Sequence, residues 1–180
     1  MPYVRLATAA LFLIITVGAT AQNKVAVMAA ASPAPWLEDV RAKLEATGMF
    51  DEVDSYNLYT QMSPTLAQMQ EYCSILVFTD YAILDGVTFG NNLADYVDGG
   101  GGVVAATFAT ASVPISGRFA TDNYYGLQPN THITGPTETL GTIHNSCHPV
   151  LHDVMTFNGG ISSYRQTTDS LHPQAVRIAD

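Results

Sequence analysis

Positively charged residues are scarce in this 180-residue chain. Seven Lys and Arg stand against sixteen Asp and Glu, which gives a net charge of −9, and the seven are scattered from Arg5 to Arg177 without forming a cluster. Neutralising a phosphate backbone requires clustered Lys and Arg, so nucleic acid is excluded as an expected partner. Apolar residues make up 47% of the chain and charged residues only 13%, a balance that excludes an intrinsically disordered protein.

The glycine-rich motifs of nucleotide sites are also missing. Neither Gly-x-Gly-x-x-Gly nor a phosphate loop ending in Gly-Lys-Ser/Thr occurs. The run Gly99–Gly102 follows a predicted helix and opens a predicted strand, whereas a phosphate cradle follows a strand and opens a helix. The first predicted turn, residues 29–34, offers no Ser/Thr-rich phosphate loop of the flavodoxin kind. We therefore predict no cofactor, flavin included.

Long apolar runs are equally few. One stretch, Leu6–Ala21, approaches membrane length but is shorter than the ~20 residues that a membrane span requires. Arg5 supplies a positive start, and Ala19-Thr20-Ala21 supplies a small-residue cleavage site. We predict a secretory signal peptide over residues 1–21, cleavage before Gln22, a secreted or extracytoplasmic location, and no membrane contact beyond the leader. A buried helix or an uncleaved anchor is the alternative.

Only two cysteines are present, Cys73 and Cys147. An oxidising compartment permits a disulfide between them. A bridge requires Cα atoms within ~7 Å of each other, and separation along the chain says nothing about that distance. A disulfide and two buried thiols therefore stand as equal alternatives.

Short apolar runs alternate with amphipathic segments over residues 24–108. Strands are predicted at 24–28, 50–56, 74–78 and 103–108, the last two buried, and helices at 35–48, from Ser63-Pro64 onward, and at 90–98. The order βαβαβαβ is typical of a parallel sheet covered by helices. The periodicity therefore predicts an α/β domain that begins after the leader.

The pattern loosens beyond Thr110. Residues 111–145 are rich in Thr, Gly, Pro and Asn, and we expect a long excursion folded over the sheet, with at most one short strand near Thr131–Thr134. Residues 150–155 predict a short helix or turn, and Ala175–Ile178 a late strand. Because the sequence given stops directly after that strand, we expect a longer protein with further domains, of which residues 22–180 are a truncated front domain.

Several segments resemble the class I glutamine-amidotransferase-like superfamily, trehalose-utilisation-type proteins included. They are Ser-Ile-Leu-Val-Phe-Thr-Asp at 74–80, the glycine-rich stretch 90–104, His-Pro-Val-Leu-His-Asp-Val at 148–154, and Gly-Gly-Ile-Ser-Ser-Tyr-Arg at 159–165. The resemblance covers residues 24–178. It implies a three-layer, flavodoxin-like (Rossmann-type), mostly parallel sheet with helices on both faces.

The resemblance also implies where a catalytic cysteine would stand. Amidotransferases of this kind carry it in the turn after the strand that corresponds to residues 103–107, but the turn Thr107–Ser112 contains no cysteine and no Gly-x-Ser-x-Gly elbow. Thr107, Thr110 or Ser112 would need an adjacent base to act as a nucleophile. We therefore expect a member that does not hydrolyse glutamine.

Ligands of open parallel sheets bind outside the carboxyl ends of the strands. This rule nominates Ser32, Asp80, Tyr81 and Thr107 as ligand-binding residues, with Asp80 the strongest candidate. A capping or turn carboxylate is the alternative role for Asp80. A small molecule, a glycan or an extracellular protein is the expected ligand.

Histidines and aromatic pairs supply the remaining candidates. His144, His148 and His152 recur every four residues, but Pro149 breaks the helix that would join them, so we predict no metal site. The pairs Tyr124-Tyr125 and Tyr164-Arg165 fit either carbohydrate or peptide contacts or packing of the excursion onto the sheet.

These observations predict a secreted or cell-surface module that binds or supports a partner without catalysis. The alternative is a hydrolase of a carbohydrate or amide. It would use Asp80 and a histidine, His148 being the first candidate, with Thr107 as a further catalytic candidate.

Overall fold

The computed structural model describes residues 23–135, 139–160, 163–166 and 170–179. The predicted leader, residues 1–21, and its cleavage site lie outside the described residues. The elements in chain order are β1 (Lys24–Ala30), α1 (Pro35–Glu45), β2 (Glu52–Asn57), α2 (Leu66–Met69), β3 (Ser74–Thr79), α3 (Gly86–Asp98), β4 (Gly102–Ala105), α4 (Arg118–Thr121), β5 (His132–Gly135), a 3₁₀ helix (Pro149–Leu151) and β6 (Ser163–Gln166).

The first four strands form one parallel sheet in the order β2-β1-β3-β4. In its register Val25 lies opposite Val53 on one side and Ser74 on the other. β1 is almost entirely apolar and buried, as expected of a central strand with neighbours on both sides. The α/β class and the parallel pairing predicted from the alternating pattern are thereby confirmed.

Alternate side chains of β1 serve two separate apolar clusters. Met28 belongs to a cluster with Phe89 of α3 and with other buried residues of α2, α3 and the excursion. Val27 belongs to a second cluster with Leu37 of α1. Fully burying a side chain such as Phe89 or Leu37 stabilises the fold by about 1.5–3 kcal/mol, so these clusters set the position of the helices against the sheet.

Helix α1 begins at Pro35 as predicted but ends at Glu45, three residues before the predicted end at Gly48. Pro35 occupies the first turn, where its missing N–H costs nothing. Two i,i+4 ion pairs form on the exposed face, Lys43 Nζ lying 2.5 Å from Asp39 and Arg41 contacting Glu45. Beyond the helix, Gly48 adopts a φ of +65°, a left-handed conformation that glycine tolerates without strain.

Helix α2 starts later than predicted, and Ser63 is not its N-cap. The Ser63 hydroxyl donates to the carbonyl of Pro64 at 3.0 Å. Thr65 caps the helix instead, since its Oγ1 accepts from the Gln68 amide at 3.3 Å while Gln68 Oε1 accepts from the Thr65 amide at 2.9 Å. This reciprocal pair is a capping box, and it satisfies two amides at once.

Helix α3 and strand β4 also differ from the prediction. The helix begins at Gly86, a turn before the predicted Gly90. The strand ends at Ala105 rather than at Phe108 and is not buried, Val104 being 56% exposed. The reason is its place in the sheet, since β4 pairs only with β3 among the described strands.

The later part of the chain folds back over the sheet as expected. The predicted strand near residues 131–134 is confirmed as β5, which pairs with β6 in an antiparallel ribbon. The unpredicted helix α4 and the buried side chains of Ile115, Phe119 and Tyr125 bring the excursion against the core. The 3₁₀ helix confirms the predicted short helix or turn.

The predicted late strand Ala175–Ile178 is wrong. These residues form no strand, and the Ile178 carbonyl instead accepts from the amides of His144 and Asn145 at 2.9 and 3.2 Å. A strand needs a partner strand along its length. Near this segment the described chain forms only an isolated bridge, between Ile143 and Ala179. Across the described segments, no helix combines the length and apolar character needed to cross a membrane.

Candidate functional site

The carboxyl ends of β1 to β4 lie along one edge of the sheet because the four strands are parallel. We call this edge, with the loops 31–34, 58–61, 80–85 and 106–113 that leave it, the carboxyl edge. The predicted ligand-binding residues Ser32, Asp80, Tyr81 and Thr107 all lie in these loops or at their borders. The sheet topology therefore collects the four candidates at one end of the domain.

Asn57, the last residue of β2, ties the first two loops together. Its Nδ2 donates to the Ala31 carbonyl at 3.1 Å, and its Oδ1 accepts from the amides of Ala31 and Tyr59 at 3.4 and 3.1 Å. Sequence reasoning missed this residue. The available signal was an Asn directly after a strand, a residue type that satisfies turn amides.

Asp80 is half-buried at the end of β3. Its amide and that of Tyr81 both donate to the Ala30 carbonyl, at 2.9 and 3.1 Å, which fixes the loop against β1. The residue that precedes α3 as its N-cap is Asp85, not Asp80. Among the described residues the Asp80 carboxylate forms no hydrogen bond or ion pair, so its oxygens are available to a ligand donor.

Two tyrosines from neighbouring loops form an exposed aromatic surface. The rings of Tyr59 and Tyr81 lie 4.9 Å apart between centroids at an angle of 39°, and the residues are 42% and 45% exposed. We call them the tyrosine pair. Tyr81 was predicted, whereas Tyr59 was not, because its position after the weakly patterned strand β2 gave no indication of a role.

Ser32 follows the inner strand β1, and Thr107 follows β4 at one side of the sheet. Ser32 is half-buried after β1, and the peptide bond that follows it is cis, as is the bond between Thr107 and Phe108. Thr107 and Thr110 line a cavity of about 490 Å³ beside β4, which Tyr125 also lines. This cavity lies alongside the edge strand, away from the loops that follow β1 and β2.

The tyrosines at 124 and 125 hold the excursion in place. Burial raises the pKa of Tyr125, whose hydroxyl accepts from the Ile115 amide and donates to the Ala109 carbonyl, both at 2.7 Å. Tyr124 donates to Asp98 at 2.6 Å. Of the two alternatives left open by the sequence, packing is the one that the structure shows for this pair.

Arg118 of α4 contacts two carboxylates of α3 and a third carboxylate that directly follows α4. It contacts Asp95 and lies 3.1 Å from both Asp98 and Asp122. Hydrogen bonds from Tyr124 and then from Arg118 lower the pKa of Asp98, and hydrogen bonds from Thr121 and then from Arg118 lower that of Asp122. These groups form hydrogen bonds and ion pairs with one another, which indicates a structural role.

A second charged cluster lies at the opposite edge, around the start of β1. Lys24 Nζ lies 2.9 Å from Asp54 and 3.1 Å from Glu52, and Tyr72 donates to Asp54 at 2.7 Å. Burial raises the pKa of Tyr72, as do its hydrogen bonds to Tyr56 and Asp54. These groups too satisfy one another and secure β1 against β2.

The histidines of the predicted hydrolase do not meet Asp80. His148 Nδ1 accepts from the Val150 amide at 3.3 Å and so caps the 3₁₀ helix, while His152 pairs with its neighbour Asp153 at 3.1 Å. Within the described ranges, Asp80 shares no hydrogen bond or ion pair with any histidine. The same residues contain no group of three His, Cys, Asp or Glu side chains placed to hold a metal.

Both cysteines are exposed and form no disulfide. Cys73 lies before β3, and its Sγ donates to the Lys24 carbonyl at 3.0 Å, which places it at the amino end of the sheet. Cys147 lies just before the 3₁₀ helix. The structure thus shows neither the bridge nor the buried thiols that the sequence left as alternatives.

One hydroxyl of the turn after β4 has an imidazole beside it. Ser112 Oγ lies 2.8 Å from His132 Nδ1, at the start of the β5–β6 ribbon. Ser112 was considered from the sequence, but His132 was not, because the two residues are twenty positions apart and share no local pattern. Tyr164 packs against the same histidine at 5.5 Å between centroids.

Comparison of the chain with known protein families, with curated proteins and with solved structures found no significant match. The resemblance to amidotransferase-like proteins therefore stays a prediction from the segments quoted above.

Proposed function

We propose that this chain is a secreted or cell-surface binding module that recognises a glycan at the carboxyl edge of its sheet. The single observation that carries the proposal is the tyrosine pair, two exposed rings held in contact by loops from two different strands. The proposed leader supplies the extracytoplasmic location. A small molecule and an extracellular protein are the other ligands that such an edge accommodates.

The fold part of the proposal is a three-layer, flavodoxin-like (Rossmann-type) domain of the class I glutamine-amidotransferase-like kind. The two apolar clusters support it, because one joins β1 to α1 and the other joins β1 to α2 and α3. The quoted segments at 74–80 and 90–104 fall on β3, α3 and β4, in the order that the resemblance implies.

A glycan suits the chemistry of this edge. The C–H faces of a sugar ring pack against aromatic rings, and sugar hydroxyls donate to carboxylate oxygens. Tyr59 and Tyr81 offer the rings, and Asp80 offers oxygens that are uncommitted within the described chain. The tyrosines are exposed rather than enclosed, which favours an extended chain of sugars over a small ligand that would have to be surrounded.

Binding rather than glutamine hydrolysis is supported by the positions of the thiols. Cys73 precedes β3 at the amino end of the sheet and Cys147 precedes the 3₁₀ helix. The turn after β4 contains neither. A thiolate nucleophile at that corner, which the family chemistry requires, is therefore not supplied by this part of the chain.

The experiment is a calorimetric titration of the purified module with a panel of glucan, mannan and chitin hexasaccharides. Without the stacking contact of one ring, the binding free energy loses at least about 1.4 kcal/mol from apolar burial. This loss corresponds to about a tenfold decrease in affinity. Tyr81→Ala should therefore weaken binding at least about tenfold, and Asp80→Asn should also weaken it.

Phe157→Ala serves as the control, since Phe157 is an aromatic residue of similar exposure, 55%, outside the carboxyl edge. It should bind like the unaltered protein. Binding that survives Tyr81→Ala unchanged, or that falls equally with Phe157→Ala, would contradict the proposed site. Failure of every glycan in the panel would contradict the ligand class.

A further inference from the structure

The contact between Ser112 and His132 plays no part in the proposed binding function. Ser112 is exposed in the turn after β4, and its Oγ lies 2.8 Å from Nδ1 of His132. We infer that this pair is an acyl-transfer site in which Ser112 is the nucleophile and His132 the general base, with short-chain carboxylic esters as substrates. This activity goes beyond the proposed glycan recognition.

The turn that carries Ser112 is fixed at several points. Thr79 Oγ1, at the end of β3, donates to the Val113 carbonyl at 2.6 Å. The amides of Ala111 and Val113 both donate to the Phe108 carbonyl, at 2.8 and 3.3 Å. Flanking hydrogen bonds keep a nucleophile oriented toward its base. Such orientation supplies a large part of the rate enhancement in catalysis.

The imidazole is held from a different part of the chain. His132 is the first residue of β5, opposite Gln166 of β6. Its ring lies against Phe108 at 4.7 Å and Tyr164 at 5.5 Å between centroids, and those two rings contact each other at 4.8 Å. These three mutual ring contacts restrict rotation of the imidazole while Nδ1 lies at hydrogen-bond distance from Ser112.

The chemistry balances without any group beyond water. With its proton on Nε2, His132 accepts the Ser112 hydroxyl proton at Nδ1 while Oγ forms a bond to the ester carbonyl carbon. The bond from that carbon to the alcohol oxygen then breaks, and the alcohol leaves with the proton from the imidazolium. Water, activated by the same nitrogen, hydrolyses the acyl-serine to the carboxylic acid and restores the hydroxyl.

Two further features fit a small ester. Within the described segments the backbone N–H of Ser112 donates no hydrogen bond, which leaves it available to a developing oxyanion. Phe108 and the 48% exposed Tyr164 offer ring edges beside the nucleophile, suited to a short acyl chain. Ser112 lies open at the surface, so a small ester reaches it without rearrangement of the turn.

An alkyl fluorophosphonate is the probe, because its phosphorus is attacked by an activated serine with loss of fluoride. We expect one adduct per chain, located on Ser112 by peptide mass spectrometry. Ser112→Ala should abolish it, and His132→Gln should slow labelling by about 100-fold, the scale of general-base catalysis. Turnover of 4-nitrophenyl acetate should fall in parallel.

Two control variants separate this site from its surroundings. Ser170→Ala removes an exposed serine that hydrogen-bonds to no described histidine, and His148→Gln removes an imidazole that faces a backbone amide. Both should label at the unaltered rate. His132→Phe keeps a ring against Phe108 and Tyr164 but removes the base, so it too should label slowly. It replaces His132→Gln if that variant proves unstable in a thermal melt.

Absence of an adduct in the unaltered protein, an adduct on another serine, or undiminished labelling in both His132 variants would overturn the inference. None of these results bears on glycan affinity, which is measured separately. Equally, a module that binds no glycan but labels at Ser112 would refute the proposed ligand and leave the acyl-transfer site standing.

Discussion

Replacing Gly90 with alanine tests how closely α3 meets the turn that leaves the carboxyl edge. Gly90 lies in the middle of α3 and is fully buried. A Cβ at this position would stand 1.7 Å from the Ser116 carbonyl oxygen. That oxygen belongs to the backbone, so the contact cannot be relieved by rotating a side chain. The turn would have to withdraw by about 1.3 Å merely to reach the 3.0 Å below which real Cβ contacts essentially do not occur.

The expected magnitude comes from two opposing effects. Alanine is favoured over glycine inside a helix by about 1 kcal/mol. Overpacking of a closely packed site costs about 3 kcal/mol where backbone must shift. The turn that must move is fixed by hydrogen bonds of Thr79 and Tyr125, so little relaxation is open to it. The net loss is about 2 kcal/mol of unfolding free energy, or about 6 °C in melting temperature for a domain of this size.

Thermal unfolding followed by circular dichroism measures the loss, with Gly86→Ala as the matched control in the same helix. A Cβ at Gly86 would stand 2.7 Å from the Ser116 hydroxyl, a side chain that can turn away, and 3.6 Å from Ile83 Cβ, an ordinary van der Waals contact. Gly86→Ala should therefore melt within about 2 °C of the unaltered protein. If Gly90→Ala melted at or above the unaltered temperature, the close approach of α3 to the turn would be refuted.

Three further predictions concern the excursion, its charges and the leader. Tyr125→Phe leaves one buried amide and one buried carbonyl without their partner, so unfolding free energy should fall by about 1–3 kcal/mol in a denaturant melt, and an unchanged midpoint would contradict the role given to this hydroxyl. The lowered pKa of Asp98 means that its carboxylate stabilises the fold above about pH 4. That stability is lost as pH falls through the lower folded pKa, so Arg118→Gln should reduce the drop in melting temperature between about pH 6 and pH 3. Expression through a secretory pathway should yield a mature chain that begins at Gln22, whereas an intact mass retaining residues 1–21 would refute cleavage.

The central sheet could be predicted because its strands are marked by local runs of apolar residues. β1 and β3 each contain at least four consecutive apolar residues, and short apolar runs of this kind are typical of strands inside a parallel sheet. The edge position of β4 could not be predicted, since an apolar run does not indicate how many strands will pair with it. Ala175–Ile178 shows the same limit, because three of its four residues are apolar but the segment meets no partner strand along its length.

Some residues of the candidate site could likewise be predicted from the sequence, and others could not. Asp80 and Tyr81 follow from a topological rule that needs only the strand order. Tyr59 and Asn57 were missed because β2 contains a single strongly strand-forming aliphatic residue, which left its end poorly defined. The contact of Ser112 with His132 depends on how the excursion returns to the sheet, and no spacing in the sequence encodes that path.

The most direct test of the account is a nuclear magnetic resonance titration of the ¹⁵N-labelled module with the hexasaccharide that binds most tightly in the panel. Amide shifts should be confined to the loops at 31–34, 58–61 and 80–85, with the largest changes beside Tyr59 and Tyr81. Shifts centred instead on Lys24, Cys73 and Gly102, at the amino end of the same strands, would contradict the claim that the carboxyl edge is the binding surface.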